Sequence, residues 1–205
     1  MEVQVNAQTY LDDIRGALDE TQIVELVKVV DRLYEAFASE HTIFTFGNGA
    51  SAALASHMAT DMGKLTSLDF GTGPVPRTVK RLRIASLCDN SAWLTAIGND
   101  LAYEDVFLEQ LKNQLVAGDV VIGISGSGGS PNVLKALRYA RASGAFCIAF
   151  TGAQPKAANI EPLTDVLIRA PLTMMEQIED LHVVYHHIIT RQLFDRISTG
   201  AQLEA

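Results

Sequence analysis

Two short segments of one design, Phe46-Gly47-Asn48-Gly49-Ala50-Ser51 and Ile124-Ser125-Gly126-Ser127-Gly128-Gly129-Ser130-Pro131-Asn132, each follow a brief apolar run and precede an amphipathic stretch. That placement restricts the fold, because glycine- and serine-rich turns between buried strands and helices belong to sheets in which the two elements alternate. Glycine lets the backbone approach a ligand closely, N–H groups converge at the start of the following helix, and serine hydroxyls add uncharged donors. Together the segments read as a cradle for an anion. Neither contains the lysine of a nucleotide P-loop, and Gly47-x-Gly49 lacks the third glycine of the dinucleotide fingerprint. A phosphorylated metabolite fits them better. One such cluster alone could be a plain strand-to-helix turn; two in matching positions point to a site.

The pattern along the chain supports this setting. Leu11, Ile14 and Leu18, then Ile23, Leu26, Val27, Val30 and Leu33, recur at helical spacing and predict two helices before Ser39. Strands are expected at 42–46, 83–88, 120–124, 146–150 and 165–169. Helices are expected at 50–62, with Gly63 as a left-handed cap, and from Pro131 toward Gly144. A broken helical pattern occupies 94–114, and a last helix runs from about Met174 to Ile197. Residues from Leu65 to Arg77, with Gly71, Gly73, Pro74 and Pro76, have no period and predict a surface connection. The expected architecture is a single α/β domain over 1–205: a helical pair at 1–40, then a three-layer αβα sandwich with a parallel sheet and a final helix over 41–198.

A length of 205 residues with 48% hydrophobic and 20% charged residues suits one domain with a full core. No apolar run approaches the ~20 residues that span a bilayer, and the Met1 end lacks a signal pattern, so a cytoplasmic protein without a membrane partner is expected. A net charge of −8 disfavours nucleic acid, whose phosphates demand Lys and Arg. The one basic cluster, Arg77, Lys80, Arg81 and Arg83, surrounds a strand start and reads as a solvated or subunit-facing edge. Cys88 and Cys147 sit in apolar runs and form no CxxC, as expected of buried free thiols.

Groups able to do chemistry fall on two helices. His57 and Asp61, four residues apart, share a helix face and can converge on a metal or a substrate. The last helix carries three of the chain's five histidines, His182, His186 and His187, with Glu179 nearby. Its phase groups Glu179, His182 and His186 on one flank and turns His187 further round. Imidazole with carboxylate is a donor set that suits divalent cations such as zinc. Spacing alone does not say which of these residues meet, and Met174 and Met175 read as packing.

These motifs, in this order, resemble the sugar isomerase (SIS) domain family and, within it, the phosphoheptose isomerases. The resemblance is carried by Gly47 to Ala53 with His57, by Leu94-Thr95-Ala96-Ile97-Gly98-Asn99-Asp100, by Ser125 to Ala136, and by Ile178-Glu179-Asp180-Leu181-His182 with His187, and it reaches about Ser198. It implies a flavodoxin-like sheet, a homotetramer with sites shared between subunits, and isomerisation of sedoheptulose 7-phosphate to D-glycero-D-manno-heptose 7-phosphate. It implies zinc held by His57, Asp61, Glu179 and His187, with Asp61 and His187 as the catalytic pair. Substrate positions fall on Asn48, Gly49, Ser51, Ser125, Gly126, Ser127 and Ser130, with Asp89 and Glu179 near the sugar. The chain departs from the family pattern in having Asp61 for Glu, Glu179 for Gln, Ala50 for Gly and Gly129 for Asn. The alternative is a non-catalytic phosphosugar-binding regulator or adaptor, like relatives that bind a replication initiator. Those relatives lack the acid and the late histidine.

Overall fold

The computed structural model describes residues 6–65 and 80–204. Helix α1 spans Ala7–Asp19 and α2 Ile23–Ala38; they precede β1 at Ile43–Gly47 and α3 at Ala50–Leu65. Strand β2 covers Ile84–Ser86, α4 Ser91–Asp100 and α5 Leu108–Gln114, and β3 Val120–Ile124 leads into α6 at Pro131–Ala142. Strands β4, Phe146–Thr151, and β5, Val166–Arg169, bring the chain to the long closing helix α7, Met175–Glu204.

All five strands are parallel and lie in the order β2-β1-β3-β4-β5. Every residue of β1 and β3 is buried, which is why these strands are nearly all apolar rather than alternating; the exception, Thr45, donates its hydroxyl to the Ala55 carbonyl at 2.8 Å. Helices α2, α3 and α7 cover one face around Leu33, Met58, Ile122, Phe150, Leu181 and Tyr185. The opposite face is covered by α4, α5 and α6 around Phe46, Phe107, Val121, Leu137 and Cys147. The expected three-layer αβα sandwich and its leading helical pair are therefore observed.

From β1 the chain passes to β2 on one side and then crosses back to β3 on the other side of β1, so the direction of travel reverses between β1 and β3. Between their carboxyl ends opens the crevice in which parallel sheets bind ligands. Both Gly/Ser segments leave from these two strands, and Gly47 is paired directly with Ile124.

One local expectation differs from the structure, and two others need comment. Gly63 does not cap a helix: α3 continues to Leu65, and Gly63 packs against β2, where an added Cβ would lie 3.3 Å from Ile84 Cγ2. Of the connection expected from Leu65 to Arg77, Leu65 ends α3 and the rest, with Arg77 of the basic cluster, lies outside the described residues. The apolar spacing in α1 and α2 correctly marks helices, yet Leu11, Leu18, Ile23, Val24 and Val27 are exposed, because α2 turns Leu26, Val29, Val30 and Leu33 to the core instead. Among the described residues no helix is long and apolar enough to cross a membrane.

Candidate active site

The first segment folds tightly against its neighbour strand. A Cβ on Gly47 would fall 2.9 Å from the Ile124 carbonyl oxygen and 2.7 Å from Ser51 Cβ, so this crossing admits only glycine. Asn48 then reaches across to the second segment. Its Nδ2 donates to Asn132 Oδ1 at 2.9 Å, Asn132 Nδ2 donates back to Asn48 Oδ1 at 2.8 Å, and the Tyr103 hydroxyl donates to the same oxygen at 3.0 Å. Asn132 is buried, and its Oδ1 also accepts from the Val133 N–H. The amide pair thus locks the two turns into one unit.

The second segment is ordered from within. Ser125 and Ser130 hydroxyls are 3.0 Å apart, the Gly129 N–H donates to Ser127 Oγ, and the Gly128 N–H donates to the Ser125 carbonyl. Gly128 takes a φ of 68°, and a Cβ there would lie 2.4 Å from Ala157 Cα. Ser130 caps α6 without making a side-chain bond to its first turn, and Pro131 at the first helical position has no N–H to satisfy. Remaining donors at this helix start carry the positive end of its dipole. Asp89, at the end of the β2 strand region, accepts a hydrogen bond from Ser56 on α3.

Helices α3 and α7 bring four ligand-type residues together. His57, Asp61, His186 and His187 present one donor atom each, all within 4.8 Å of one another. The Asp61 carboxylate oxygen Oδ2 lies 3.0 Å from His57 Nε2, 3.5 Å from His186 Nε2 and 3.8 Å from His187 Nε2. His187 is half exposed, whereas the His186 side chain is wholly buried. His186 Nδ1 sits 3.2 Å from the Thr190 hydroxyl, while its Nε2, pointed into the group, has no hydrogen-bond partner. Burial, reinforced by the His57 and His187 rings, pushes His186 down to about 4, so its imidazole is neutral at pH 7.

Glu179 stands apart from this quartet. Seven residues before His186 on α7, it lies two turns, about 10.5 Å, nearer the helix start. There it lines a cavity of about 330 Å³ with Ser51, His57, Asp180, His182 and Val183. Burial, with Glu176 and Asp180 close by, raises its carboxyl above the usual range. The cavity therefore runs from Ser51 of the first turn to His57 of the quartet. His182 is a structural residue: its ring nitrogen bonds the Thr151 carbonyl at 3.1 Å, and burial pushes it down to about 4. Asp180 accepts from the Tyr10 hydroxyl at 2.7 Å and so docks α1 at the rim.

The structure thus unites His57, Asp61 and His187, joins Ser51 to His57 and Glu179 by a cavity, and places Ser125, Gly126, Ser127 and Ser130 in the turn bound to Asn48. Asn132, Tyr103 and Thr190 were not singled out as site residues by the sequence. Asn132 carried a signal, its place in the second segment; Tyr103 and Thr190 carried none. His186 was one of three histidines between which spacing could not choose.

Comparison with known proteins places this arrangement. The SIS domain profile matches residues 9–152. The probable phosphoheptose isomerase of Thermoplasma acidophilum is 29% identical over 94% of this chain and 100% of its own length. The phosphoheptose isomerase of Burkholderia pseudomallei is 34% identical over 83% of this chain and 81% of its own. Among solved structures, the phosphoheptose isomerase of Neisseria gonorrhoeae superposes with a TM-score of 0.77 and 28% identity, over 90% of this chain and 92% of that one. This chain belongs to the SIS domain family.

Proposed function

We propose that the chain is an aldose–ketose isomerase that interconverts sedoheptulose 7-phosphate and D-glycero-D-manno-heptose 7-phosphate. The observation that carries this reading is a carboxylate ringed by imidazoles, one of which, His57, also lines a cavity that begins at Ser51 of the first turn. Relatives named phosphoheptose isomerase, matched along most of their length, point to the heptose. The regulator alternative has no use for the Asp61–His187 pair.

Ketose-to-aldose conversion removes a proton from C1, passes through an enediol and returns a proton to C2, while one proton moves between the two oxygens. Asp61 takes the proton from C1, exchanges it with solvent at the enediol stage and delivers a proton to C2. Its Oδ2 faces the imidazoles, so Oδ1 is the oxygen assigned to the carbon acid. His187, the exposed member of the quartet, exchanges protons with the sugar oxygens. Asn48, Gly49, Ser51, Ser125, Gly126, Ser127 and Ser130 grip the phosphate through N–H and hydroxyl groups, and Asp89 contacts the sugar chain. Binding at this remote end orients the reacting carbons.

A divalent cation such as zinc fits the donor set, because a buried imidazole nitrogen without a partner points into a group of ligand-type atoms. His57, Asp61 and His187 would hold it, and when bound it would polarise the sugar carbonyl as a Lewis acid. The exposed apolar side chains of α1 and α2 support self-association, a homotetramer in this reading.

The test is a screen of heptose, hexose and pentose phosphates for ketose–aldose exchange, with metal analysis of the purified protein. Turnover confined to the heptose phosphate is expected. Phosphosugar binding without exchange for any of them would replace the enzyme by a regulator.

A further inference from the structure

We infer that His186 is an inner ligand of the metal site, in the place that the resemblance assigns to Glu179, giving a site of three imidazoles and one carboxylate. The inference rests on the metal reading above and deepens it.

Four observations converge on His186. It is one of the four residues whose donor atoms lie within 4.8 Å of one another, and Glu179 is not. Its side chain is fully buried, yet its Nε2 makes no hydrogen bond of good geometry, its contact with Asp61 Oδ2 being a long 3.5 Å. A buried imidazole nitrogen left unpaired is unfavourable unless something fills the position it faces. The other nitrogen is held by the Thr190 hydroxyl at 3.2 Å, an outer hydrogen bond of the kind that fixes the ring and tautomer of a metal-bound histidine. In the tautomer that donates Nδ1–H to Thr190, the Nε2 lone pair is free to bind a cation.

The Asp61 departure has a geometric counterpart. A carboxylate shortened by one methylene is held closer to the α3 backbone, and here its Oδ2 lies 3.5 Å from His186 Nε2 on α7. His186 occupies that seam with its ring centroid 4.8 Å from that of His57 and 4.9 Å from that of His187. Glu179, two turns away, is released to face the cavity, where a carboxyl with a raised pKa can contact sugar hydroxyls. The protein donors then carry one negative charge instead of the two that Asp61 and Glu179 together would bring.

The experiment reads the metal directly. Imidazole ¹⁵N–¹H spectra of the intact chain, which has five histidines, are recorded during titration with zinc alone. His57, His186 and His187 should shift together to metal-bound values, with His41 and His182 unchanged. In parallel, zinc affinity is measured by competition with a chromophoric chelator, with each variant checked for its fold by circular dichroism. His186→Gln should weaken binding about 100-fold and Thr190→Val about 10-fold, while Glu179→Gln should change it less than about twofold. Shifts at His57 and His187 only, or a large loss in Glu179→Gln with none in His186→Gln, would overturn the assignment and leave the metal reading standing. Wild-type protein that takes up no zinc would overturn both.

Discussion

The two ends of the site are built on opposite principles. At the β1 and β3 ends an anion is met by neutral donors from contiguous turns, locked by the Asn48–Asn132 amide pair. At the α3–α7 seam the reacting groups are titratable side chains from helices more than a hundred residues apart in sequence. Turn geometry is local and rigid, suited to binding ground and transition states alike. The helix seam sets pKa values by burial and neighbouring charge, suited to proton transfer. Substitutions at the two ends should therefore separate KM from kcat.

The largest effect is expected at the seam. Asp61→Asn removes the carbon base and should lower kcat about 10³-fold with little change in KM for the phosphosugar, as read by steady-state isomerisation. A comparable rise in KM instead would mean that the two ends do not divide the work.

Next is a pH effect carried by α7, which supplies half of the seam. His182 is buried and held at about 4, below its ordinary 6.5. The folded state thus disfavours the charged ring, so the stability this contributes is present above pH 6.5 and is lost as pH falls from 6.5 toward 4. A shift of this size corresponds to roughly 3 kcal/mol at most, and His186, lowered in the same direction, adds to the trend. Thermal melts between pH 7.5 and 4.5 should show Tm falling through this window, with a shallower fall in His182→Gln.

In the cradle, Gly128→Ala forces a side chain into a left-handed backbone position and against Ala157, and should cost about 3 kcal/mol, or roughly 6–12 °C in Tm. Asn132→Ala leaves the Asn48 amide without its partner and should cost about 1–3 kcal/mol in chemical denaturation while raising KM. The smallest change is Ser127→Ala: KM up about 10-fold, kcat within about twofold.

The contrast also explains what the sequence could reveal. Strand and loop positions follow from residues adjacent in the chain, so Gly47 to Ser51 and Ser125 to Asn132 could be placed at strand ends without knowing the fold. The helix seam depends on how α7 is rotated against α3. That rotation is fixed by Leu181, Tyr185 and Ile189 in the core, and it buries His186 while leaving His187 at the surface. Helical phase sets His187 apart from His182 and His186, but it does not say which of them meets α3. Gly63 shows the same limit: its role is set by Ile84 on a neighbouring strand, not by its place near a predicted helix end.

The most direct test of the central claim follows the proton. Sedoheptulose 7-phosphate is incubated with the enzyme in D₂O, and the aldose product is examined by NMR for deuterium at C2, beside an equal concentration of unphosphorylated sedoheptulose. The account predicts deuterium at C2 of the phosphorylated product, abolished by Asp61→Asn, and negligible exchange without the phosphate. Equal exchange with and without the phosphate, or undiminished exchange in Asp61→Asn, would contradict it.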